Sequence, residues 1–549
     1  YQRLPVEMLE SEEYEKEVKR IFEEERSQGL EGYERFKKRC VEKAVELKRK
    51  QKKKKRRDMY KLNKHITLMR RILNWAEDAA IQVERGKAIK RLKRGEAMIR
   101  ESNPRRWMGK SINEIEDMNE LQEKATEQLD KLLDERNENN EKKRRVEKNL
   151  NRLKEIDEED RATSGFFGKM KVAHKKEEIY ALIEEQINKL SKEKEDVERR
   201  DPKDLQRVAT EFYKELWGKR RISRRSLTGL LGQVTRKISE ASREDCEKDI
   251  TMEELKKVVK MMRKGKSPGL DGIPAEFYQK FEFAAEWLHE VYKEILDTGL
   301  MTETMRTSIV KLLFKKNDRK RIGNYRPISL LCSDYKILAK IVTERMKKVL
   351  TQLIGVEQQG FVEEGDIAGN LLLVKEMIEY CNEEDIEGSM IMMDFMKAYD
   401  RIDRGAMMET LKTMGFGDKI IGTVKVLYAQ SIARLVMNGE MGEIFETKGG
   451  VRQGCPLSPY LFIIVLELMA IAMRESAEID GIKTKSEDAA NRGPEQEQDK
   501  DKNEIKFSIT SHSHIQDQKD SKDDRISMFA DDSATAVGKS EQIVEAREI

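Results

Sequence analysis

The architecture of this chain is indicated most sharply by one segment, Gly450-Val451-Arg452-Gln453-Gly454-Cys455-Pro456-Leu457-Ser458-Pro459, which is followed by an apolar run from Tyr460 to Met473. Closely spaced glycine and proline predict a tight loop, and the apolar run predicts a buried helix. Pro459 would lie near the start of that helix, where its fixed φ is tolerated. The run contains Glu467 and falls short of the ~20 residues that span a bilayer, so we expect a core helix and no membrane association.

Two other segments place carboxylates at the ends of predicted strands. In Met392–Asp400 an apolar strand ends at Asp394, and the chain then enters a turn and a helix. In Ile526–Val537 two short β-compatible runs flank Asp531-Asp532, which predicts a hairpin with adjacent carboxylates at its tip. Two further apolar runs suit buried strands: Ser308–Phe314 and Ser389–Met393. Strands that alternate with helical patterns predict an α/β or α+β domain.

These carboxylates suggest a metal site. One Asp from a strand end and two from a nearby hairpin supply the oxygen ligands that Mg²⁺ prefers. Two such ions about 3.5–4 Å apart can activate an attacking 3′-hydroxyl and stabilise a leaving pyrophosphate. An Asp-Asp pair taken alone is more often a solvated turn, so the prediction depends on the two segments together.

The composition excludes some classes of protein. Of 549 residues 39% are charged, against a typical ~25%, yet 108 Lys and Arg nearly balance 104 Asp and Glu, for a net charge of +4. This balance excludes a uniformly basic DNA-packing protein and a uniformly acidic tail. The 5 cysteines include no CxxC pair, so we expect a reducing, intracellular location rather than a disulfide scaffold. Neither end resembles a targeting signal, and we expect the chain to be an internal piece of a longer protein.

The first 200 residues or so predict long helices, because no proline interrupts 6–103 or 105–201. Two apolar stripes have helical spacing: Met118, Leu121, Ala125, Leu129 and Leu132, and then Ile179, Leu182, Gln186, Ile187 and Leu190. Solvated helices explain most of this region, and a coiled-coil scaffold is the weaker alternative. Residues 483–525 are polar and of low complexity, which predicts a disordered surface loop.

One part of the helical region is unusually basic. From Lys48 to Arg57 nine of ten residues are Lys or Arg, with only Gln51 between them. Cations at this density repel one another, and an acidic polymer is their natural counterpart. Nucleic-acid binding that weakens with salt is the favoured interpretation, ahead of a solvated helix face or a nuclear-import signal.

From about Ile250 to Val537 the chain resembles the reverse transcriptase domain of a non-LTR (LINE-type) retrotransposon protein. The matching segments follow the family's order: Lys266–Pro274, Asn324–Leu331, Tyr335–Leu338, Gln359–Phe361, Asp394–Asp400, Gly450–Pro459 and Phe529–Asp532. Phe212–Trp217 is similar, more weakly, to the family's linker between endonuclease and polymerase.

The resemblance implies an α+β, right-hand polymerase fold with fingers and an antiparallel palm sheet, preceded by a long-helical region and lacking its thumb. The expected divisions are a helical basic linker at 1–205, an N-terminal extension at 206–265, fingers at 266–385, the first part of the palm at 386–482, the polar insertion at 483–525, and the catalytic hairpin at 526–549.

Site residues follow from the matching motifs. Asp394, Asp531 and Asp532 would bind two Mg²⁺ ions, or Mn²⁺, with the Phe395 carbonyl as a further ligand. Tyr399 would occupy the volume that a ribose 2′-hydroxyl needs, although the residue taken alone suggests an ordinary core aromatic.

Other residues would contact the nucleotide and the nucleic acid. Lys315 and Arg326 match fingers positions that bind the incoming triphosphate. Gln453 would lie beside the nascent base pair, and Gly454 and Arg452 beside template and primer. A generic basic surface is the alternative for Lys315 and Arg326.

The expected function is RNA-directed DNA synthesis, with an RNA template, a DNA primer and dNTPs as partners, in the nucleus and in cytoplasmic ribonucleoprotein. The acidic stretch at Val362–Asp366 departs from the family pattern, and the resemblance ends soon after the Asp-Asp pair. A truncated, non-catalytic RNA-binding remnant is therefore the alternative. Oligomeric state stays open.

Overall fold

The computed structural model describes residues 2–81, 126–127, 129–134, 178–187, 194–355, 358–362, 367–385, 389–476, 526–529 and 532–537. The chain divides into two compact units, one formed by Tyr1–Val45 with Glu178–Ile549 and the other by Glu46–Glu177. The expected boundary at residue 205 does not coincide with this division, because the first 45 residues belong to the same unit as the predicted polymerase.

The described helices and strands follow in chain order. They are α1 (Glu12–Glu25), α2 (Gly29–Ile81), β1 (Leu182–Ile187), β2 (Lys194–Arg199), α3 (Pro202–Leu216), α4 (Arg224–Gly232), α5 (Glu240–Cys246), α6 (Met252–Met261), α7 (Ala275–Lys280), α8 (Glu282–Thr298), α9 (Glu303–Arg306), β3 (Thr307–Phe314), β4 (Tyr325–Leu330), α10 (Ser333–Lys347), α11 (Leu350–Leu353), α12 (Ile367–Glu383), β5 (Ser389–Asp394), α13 (Ala398–Arg401), α14 (Arg404–Thr413), α15 (Asp418–Tyr428), β6 (Ile432–Met437), β7 (Glu440–Glu446), α16 (Ser458–Glu475), β8 (Ile526–Phe529) and β9 (Asp532–Val537). Three short 3₁₀ helices accompany them: Val6–Glu10, Arg26–Gln28 and Ile322–Asn324.

A four-stranded mixed sheet has the order β4-β3-β6-β7. β3 runs antiparallel to β4 and parallel to β6, and β6 and β7 are antiparallel. The first four residues of β3 are buried, as its apolar sequence predicts. Helix α3 packs on this sheet, and its buried residues Leu205 and Val208 share one core with Val310 and Leu435.

A second sheet has the order β5-β9-β8 and is antiparallel throughout. Its strands confirm the predicted strand at 389–393 and the predicted hairpin, in which Phe529 pairs with Asp532. Ala530 and Asp531 lie outside the described residues. So does the polar stretch 483–525, for which disorder stays a prediction.

One sequence prediction for the N-terminal region is wrong. Leu182–Ile187, assigned above to an amphipathic helix, forms strand β1, which pairs antiparallel with β2. Leu182 and its neighbour Ile179 are buried in the core of the four-stranded sheet, and the Ile183 amide donates to the Lys320 carbonyl at 2.8 Å. Apolar spacing over so short a segment fits either a helix or a strand, and packing against the sheet decided between them.

The helix after the Gly450–Pro459 loop is confirmed as a core helix. α16 has Pro459 in its first turn, and most of its side chains are buried. Glu467 is among them, at 1% exposure. Within the described part of the chain, no helix is both long and apolar enough to span a membrane.

The second unit has a small core of its own. Leu62, Ile66 and Met69 of α2 pack against Leu132, which belongs to the helical residues 129–134. This confirms helix for the end of the first predicted stripe, whereas Met118, Leu121 and Ala125 lie outside the described residues.

Candidate active site

The antiparallel sheet brings two of the predicted acidic residues to opposite positions. Asp394, the last residue of β5, is paired with Asp532, the first residue of β9. Opposite residues on antiparallel strands have Cα atoms about 4.5–5.5 Å apart and lie on the same face of the sheet. In the β8–β9 hairpin Asp532 is paired with Phe529. Carboxylates at such positions are suited to share a divalent cation.

The chain turns sharply after Asp394. Lys397 adopts a left-handed conformation with φ 56°, which directs the chain into α13. Phe395 is half-buried in this turn. Tyr399 stacks on Phe462 of α16, with ring centroids 4.7 Å apart and an interplanar angle of 14°. The ring is half-buried, so its packing agrees with an aromatic at the edge of the core, while its predicted role at the sugar stays a prediction.

Asp400 joins three parts of the site, although we did not count it among the expected site residues. Its carboxylate accepts hydrogen bonds from Trp217 Nε1 at 2.9 Å and from Gln453 Nε2 at 3.1 Å. It is 1% exposed. Burial raises the pKa of Asp400 to about 6, and the Trp217 hydrogen bond and the nearby Lys397 charge limit that rise.

The Thr447–Gly454 loop is fixed by Arg404. The Arg404 guanidinium donates to the carbonyls of Thr447, Gly449 and Gly450 at 2.7–3.1 Å. Burial lowers the pKa of Arg404 to about 10. An Arg at this position therefore holds the loop through contacts with three backbone carbonyls, of which the Thr447 carbonyl also accepts from the Ser431 hydroxyl at 3.1 Å.

Gly454 is required for a reason other than the one expected. Its φ is 112°, and a Cβ there would lie 2.5 Å from the Ser329 carbonyl oxygen of β4. The Gln453 carbonyl in turn accepts from the Ser329 amide at 2.8 Å. The close neighbour in the structure is thus a strand of the same chain, and the approach of a template to Gly454 stays a prediction.

The structure also differs from the expectation for Arg452. Its side chain is buried, with Nη2 donating to the Arg306 carbonyl at 2.8 Å and the guanidinium 4.9 Å from the centre of the Tyr335 ring. These contacts turn the guanidinium into the core, where it holds the loop to α9 and α10. The structure therefore gives it a structural position rather than one open to template or primer.

The two predicted phosphate-binding cations are exposed at the end of the β3–β4 pair. Arg326 pairs with Leu313 in the ladder, and Lys315 follows β3. Neither side chain has an ion pair or hydrogen bond with a residue that the structure describes. Neighbouring cations, by contrast, are neutralised by the β2 strand, since Lys320 pairs with Glu198 and Arg321 with Asp196, both at 2.6 Å.

Sequence analysis missed a third cation, Lys397. Its Nζ donates to the Tyr325 carbonyl at 3.1 Å and lies 5.6 and 5.7 Å from the ring centres of Phe212 and Tyr213. Burial lowers its pKa, and the Lys315 charge adds to that effect. The sequence signal that could have identified Lys397 is its position within the motif segment Asp394–Asp400.

The segment Phe212–Trp217 lies beneath the site rather than acting as a plain linker. The Tyr213 hydroxyl donates to the Tyr325 carbonyl at 3.1 Å. The Trp217 carbonyl accepts from the amides of Lys448 and Gly449 at 2.8 and 2.9 Å. The end of α3 therefore contacts the start of β4, the turn after β5 and the Thr447–Gly454 loop.

A separate buried cluster has metal-like geometry but contains an internal cation. Ligand atoms of Asp271, Cys332 and Asp334 lie within 4.8 Å of one another. Lys37 Nζ is 2.8 Å from Asp334 Oδ2 and 3.6 Å from Asp271 Oδ2. The ammonium group supplies the positive charge that these carboxylates need, so this cluster ties α2 to α10 and is not our candidate metal site.

Comparison with known families identifies the class. Residues 314–549 match the profile of the family described as reverse transcriptase (RNA-dependent DNA polymerase). This match covers the β5-β9-β8 sheet with the Asp394 and Asp532 positions, and β4, β6 and β7 of the four-stranded sheet, whereas β3 contributes only its last residue, Phe314. It implies a fingers-and-palm polymerase fold.

Curated relatives narrow the class further. The chain is 32% identical over 276 residues to the transposon TX1 149 kDa protein of Xenopus laevis, covering 50% of this chain and 21% of that protein. It is 25% identical to the Pol polyprotein of the type-2 retrotransposable element R2DM of Drosophila melanogaster, covering 37% of this chain and 19% of that protein. It is 23% identical to the RNA-directed DNA polymerase from the mobile element jockey of Drosophila funebris, covering 39% of this chain and 24% of that protein. Residues 314–549 thus match a reverse transcriptase domain, and the chain is similar to proteins of non-LTR retrotransposons, as its motifs indicated. The chain spans about a quarter or less of these relatives' length.

Proposed function

We propose that this chain performs RNA-directed DNA synthesis, in which a primer 3′-hydroxyl attacks the α-phosphate of a dNTP and releases pyrophosphate. The observation that carries the proposal is the register that places Asp394 opposite Asp532 in an antiparallel sheet. Within the matched domain this is the pair of positions best suited to a shared divalent ion.

The donor set fits the ions that reverse transcriptases generally use. Asp394, Asp531 and Asp532 would hold two Mg²⁺, with the Phe395 carbonyl as a further ligand, and Mn²⁺ is the alternative. When bound, such ions lower the pKa of an attacking hydroxyl and offset the charge of the leaving group.

The chain's own residues would bind and orient the substrates. Lys315 and Arg326 are exposed and lack partners among the described residues, so they are available for the triphosphate. Lys397 adds positive charge beside them. The Tyr399 ring, held against Phe462, would exclude a 2′-hydroxyl from the sugar pocket. Gln453 would contact the base pair being formed.

A direct test is incorporation of labelled dNTPs by the purified chain on an RNA template with an annealed DNA primer and Mg²⁺. We expect activity that Asp532→Ala reduces to background, because one metal ligand is lost. Glu440→Ala, which removes an exposed carboxylate from β7, is the matched control and should leave activity unchanged. Activity that survives Asp532→Ala would refute the assignment.

The wider biology is proposed by analogy with the relatives. The template would be the element's own RNA and the primer nicked chromosomal DNA, which places the protein in the nucleus and in cytoplasmic ribonucleoprotein. Salt-sensitive RNA binding without any incorporation by the unmodified chain would instead support the non-catalytic RNA-binding remnant.

A further inference from the structure

The first inference concerns the basic segment, which we define as Lys48–Arg57 of α2. It lies within the second compact unit. All ten residues from Arg49 to Asp58 are exposed, so almost three turns of this helix pack against nothing that the structure describes. Lys50 pairs with Glu46 at 2.7 Å, whereas the six cations Lys52–Arg57 make no ion pair with any described residue.

A helix with this charge pattern is unfavourable without a partner. Like charges three and four residues apart on a helix repel one another and destabilise it. No described carboxylate forms an ion pair with Lys52–Arg57, although Asp58 follows them in the sequence, and no apolar face of 49–58 is buried in compensation. An external polyanion would remove the repulsion, and release of its counterions would add to the affinity.

The arrangement of the cations favours a particular polyanion. At roughly 100° per residue, the nine cations lie on every side of the helix except a sector of about 100° around Gln51. A single strand offers one row of phosphates and would engage one side. The major groove of B-form DNA is about 12 Å wide, admits an α-helix, and has phosphates along both edges.

We propose that the basic segment binds duplex DNA in the major groove through phosphate contacts. Lys52–Arg57 consists only of Lys and Arg, and contacts of these cations with phosphates carry no sequence information, so we expect binding to depend little on sequence. This goes beyond the proposed catalysis, since it describes a DNA-holding element in the unit that lacks the Asp394 and Asp532 positions.

The test uses the full chain and a labelled 20-base-pair duplex, without dNTPs or divalent ions, across a range of salt concentrations. Replacing all six residues Lys52–Arg57 by Gln, a good helix former, should weaken binding at least tenfold. At about 0.9 per phosphate contact, loss of six contacts should reduce the slope of log K against log salt by about 5. The matched control replaces six scattered exposed lysines by Gln and so removes the same charge: Lys38, Lys237, Lys257, Lys260, Lys412 and Lys425.

Three results would overturn the proposal. Equal losses in variant and control would assign the effect to net charge. Single-stranded RNA that competes as well as the duplex would assign the segment to the template, and polyglutamate that competes equally would assign it to an acidic protein. Because no nucleotide is incorporated in this assay, failure here is separate from failure of the proposed polymerase function.

The second inference concerns Asp400, Trp217 and Gln453, and it rests on the proposed polymerase function. Both Asp400 carboxylate oxygens are used, Oδ1 by Trp217 and Oδ2 by the Gln453 side chain. Since Gln453 Nε2 faces Asp400, the orientation of the Gln453 amide is set by this contact. The loop backbone is held independently, because the amides of Lys448 and Gly449 donate to the Trp217 carbonyl.

We infer that Asp400 is a positioning residue that orients Gln453 for the incoming nucleotide, and that Trp217 holds Asp400 in place. The geometry gives Asp400 no open face towards a substrate, since it is buried between two donors. The Phe212–Trp217 segment is then part of the polymerase site in function as well as in structure.

A double-mutant cycle on single-nucleotide incorporation tests this. Asp400→Asn replaces an acceptor by an amide that can also donate, so the Gln453 side chain is free to reverse. We expect a five- to fiftyfold higher KM for dNTP with kcat changed less than about threefold. In a Gln453→Ala background the same change should have no further effect on KM, because Asp400 acts through Gln453.

Trp217→Phe keeps an aromatic ring in the core and removes only the donor, so it should give a milder rise in KM. Additive effects of Asp400→Asn and Gln453→Ala on KM would overturn the positioning role. So would a loss of kcat together with a loss of thermal stability while KM stays unchanged. The same assay measures the unmodified chain. If that chain incorporates no nucleotide, the polymerase function is refuted, and the positioning role is refuted with it.

Discussion

The buried lysine of α2 provides the sharpest test of how the first 45 residues are held. Lys37 is 1% exposed and its Nζ contacts Asp334 Oδ2 at 2.8 Å and Thr304 Oγ1 at 2.6 Å, with Asp271 Oδ2 at 3.6 Å. The two carboxylates are themselves buried, at 2% and 0% side-chain exposure. Lys37→Met keeps most of the side-chain volume and removes the charge, which leaves two buried carboxylates without their cation.

The expected loss follows from that burial. Removing one partner of a buried ion pair typically costs about 3–5 kcal/mol, because the remaining charge is uncompensated. Burial already raises the pKa of Asp271 to about 7 against the opposing effect of Lys37. Without Lys37 the pKa of Asp271 should rise further, so at low pH the folded variant binds a proton there and regains stability. The loss should therefore be larger at pH 8 than at pH 5.

Urea unfolding followed by circular dichroism measures this loss at both pH values. Lys38→Met is the matched control, since Lys38 is the next residue and is exposed. Adding Asp334→Asn to Lys37→Met should recover part of the stability, because one uncompensated charge is removed. A loss below about 1 kcal/mol, equal to that of Lys38→Met and independent of pH, would refute the reasoning.

Three further predictions test the core around the site. Gly454→Ala should destabilise the domain and reduce incorporation, because the new Cβ would lie 2.5 Å from the Ser329 carbonyl oxygen and the backbone φ is 112°. The control Gly422→Ala, whose Cβ would have no atom within 4 Å, should leave the thermal unfolding temperature unchanged. Arg404→Lys should lower the free energy of unfolding by about 2–4 kcal/mol, since an ammonium cannot replace the several carbonyl contacts of the guanidinium; a loss under 0.5 kcal/mol in urea unfolding would contradict this. Leu182→Ala should cost about 2–5 kcal/mol if β1 belongs to the sheet core, and a value typical of a surface helix would show that it does not.

The elements that the sequence predicted well are those in which local pattern and burial agree. The run Tyr460–Met473 is apolar on every side, so it suits a helix buried on all faces, as α16 is. The segment Ile526–Val537 has two short β-compatible runs separated by turn residues, and this pattern favours a hairpin, which the pairing of β8 with β9 confirms. The reverse transcriptase motifs, in their order along the chain, predicted the domain that residues 314–549 match.

Elements whose pattern is ambiguous depended on distant residues. Ile179 and Leu182 have helical spacing, yet they are buried in the core around the four-stranded sheet, and β1 pairs with β2. Helical spacing places Lys37, unlike its exposed neighbour Lys38, on the same face as Tyr33 and Val41, but no local pattern specifies the partners of its ammonium group. Only the folded chain places the Lys37 ammonium group beside Asp271 and Asp334, about 230 and 300 residues further along the sequence.

By itself the sequence indicated the class of domain and predicted the strands around Asp394 and Asp532 and the helix after the Gly450–Pro459 loop, because strand ends, turn residues and apolar runs are local properties. Tertiary structure alone decided that Asp394 lies opposite Asp532, that Trp217 and Gln453 share the Asp400 carboxylate, and that Arg452 is buried. These depend on strand register and on contacts between segments far apart in the chain. Such contacts form only when several elements pack together, and no spacing within a single segment specifies them.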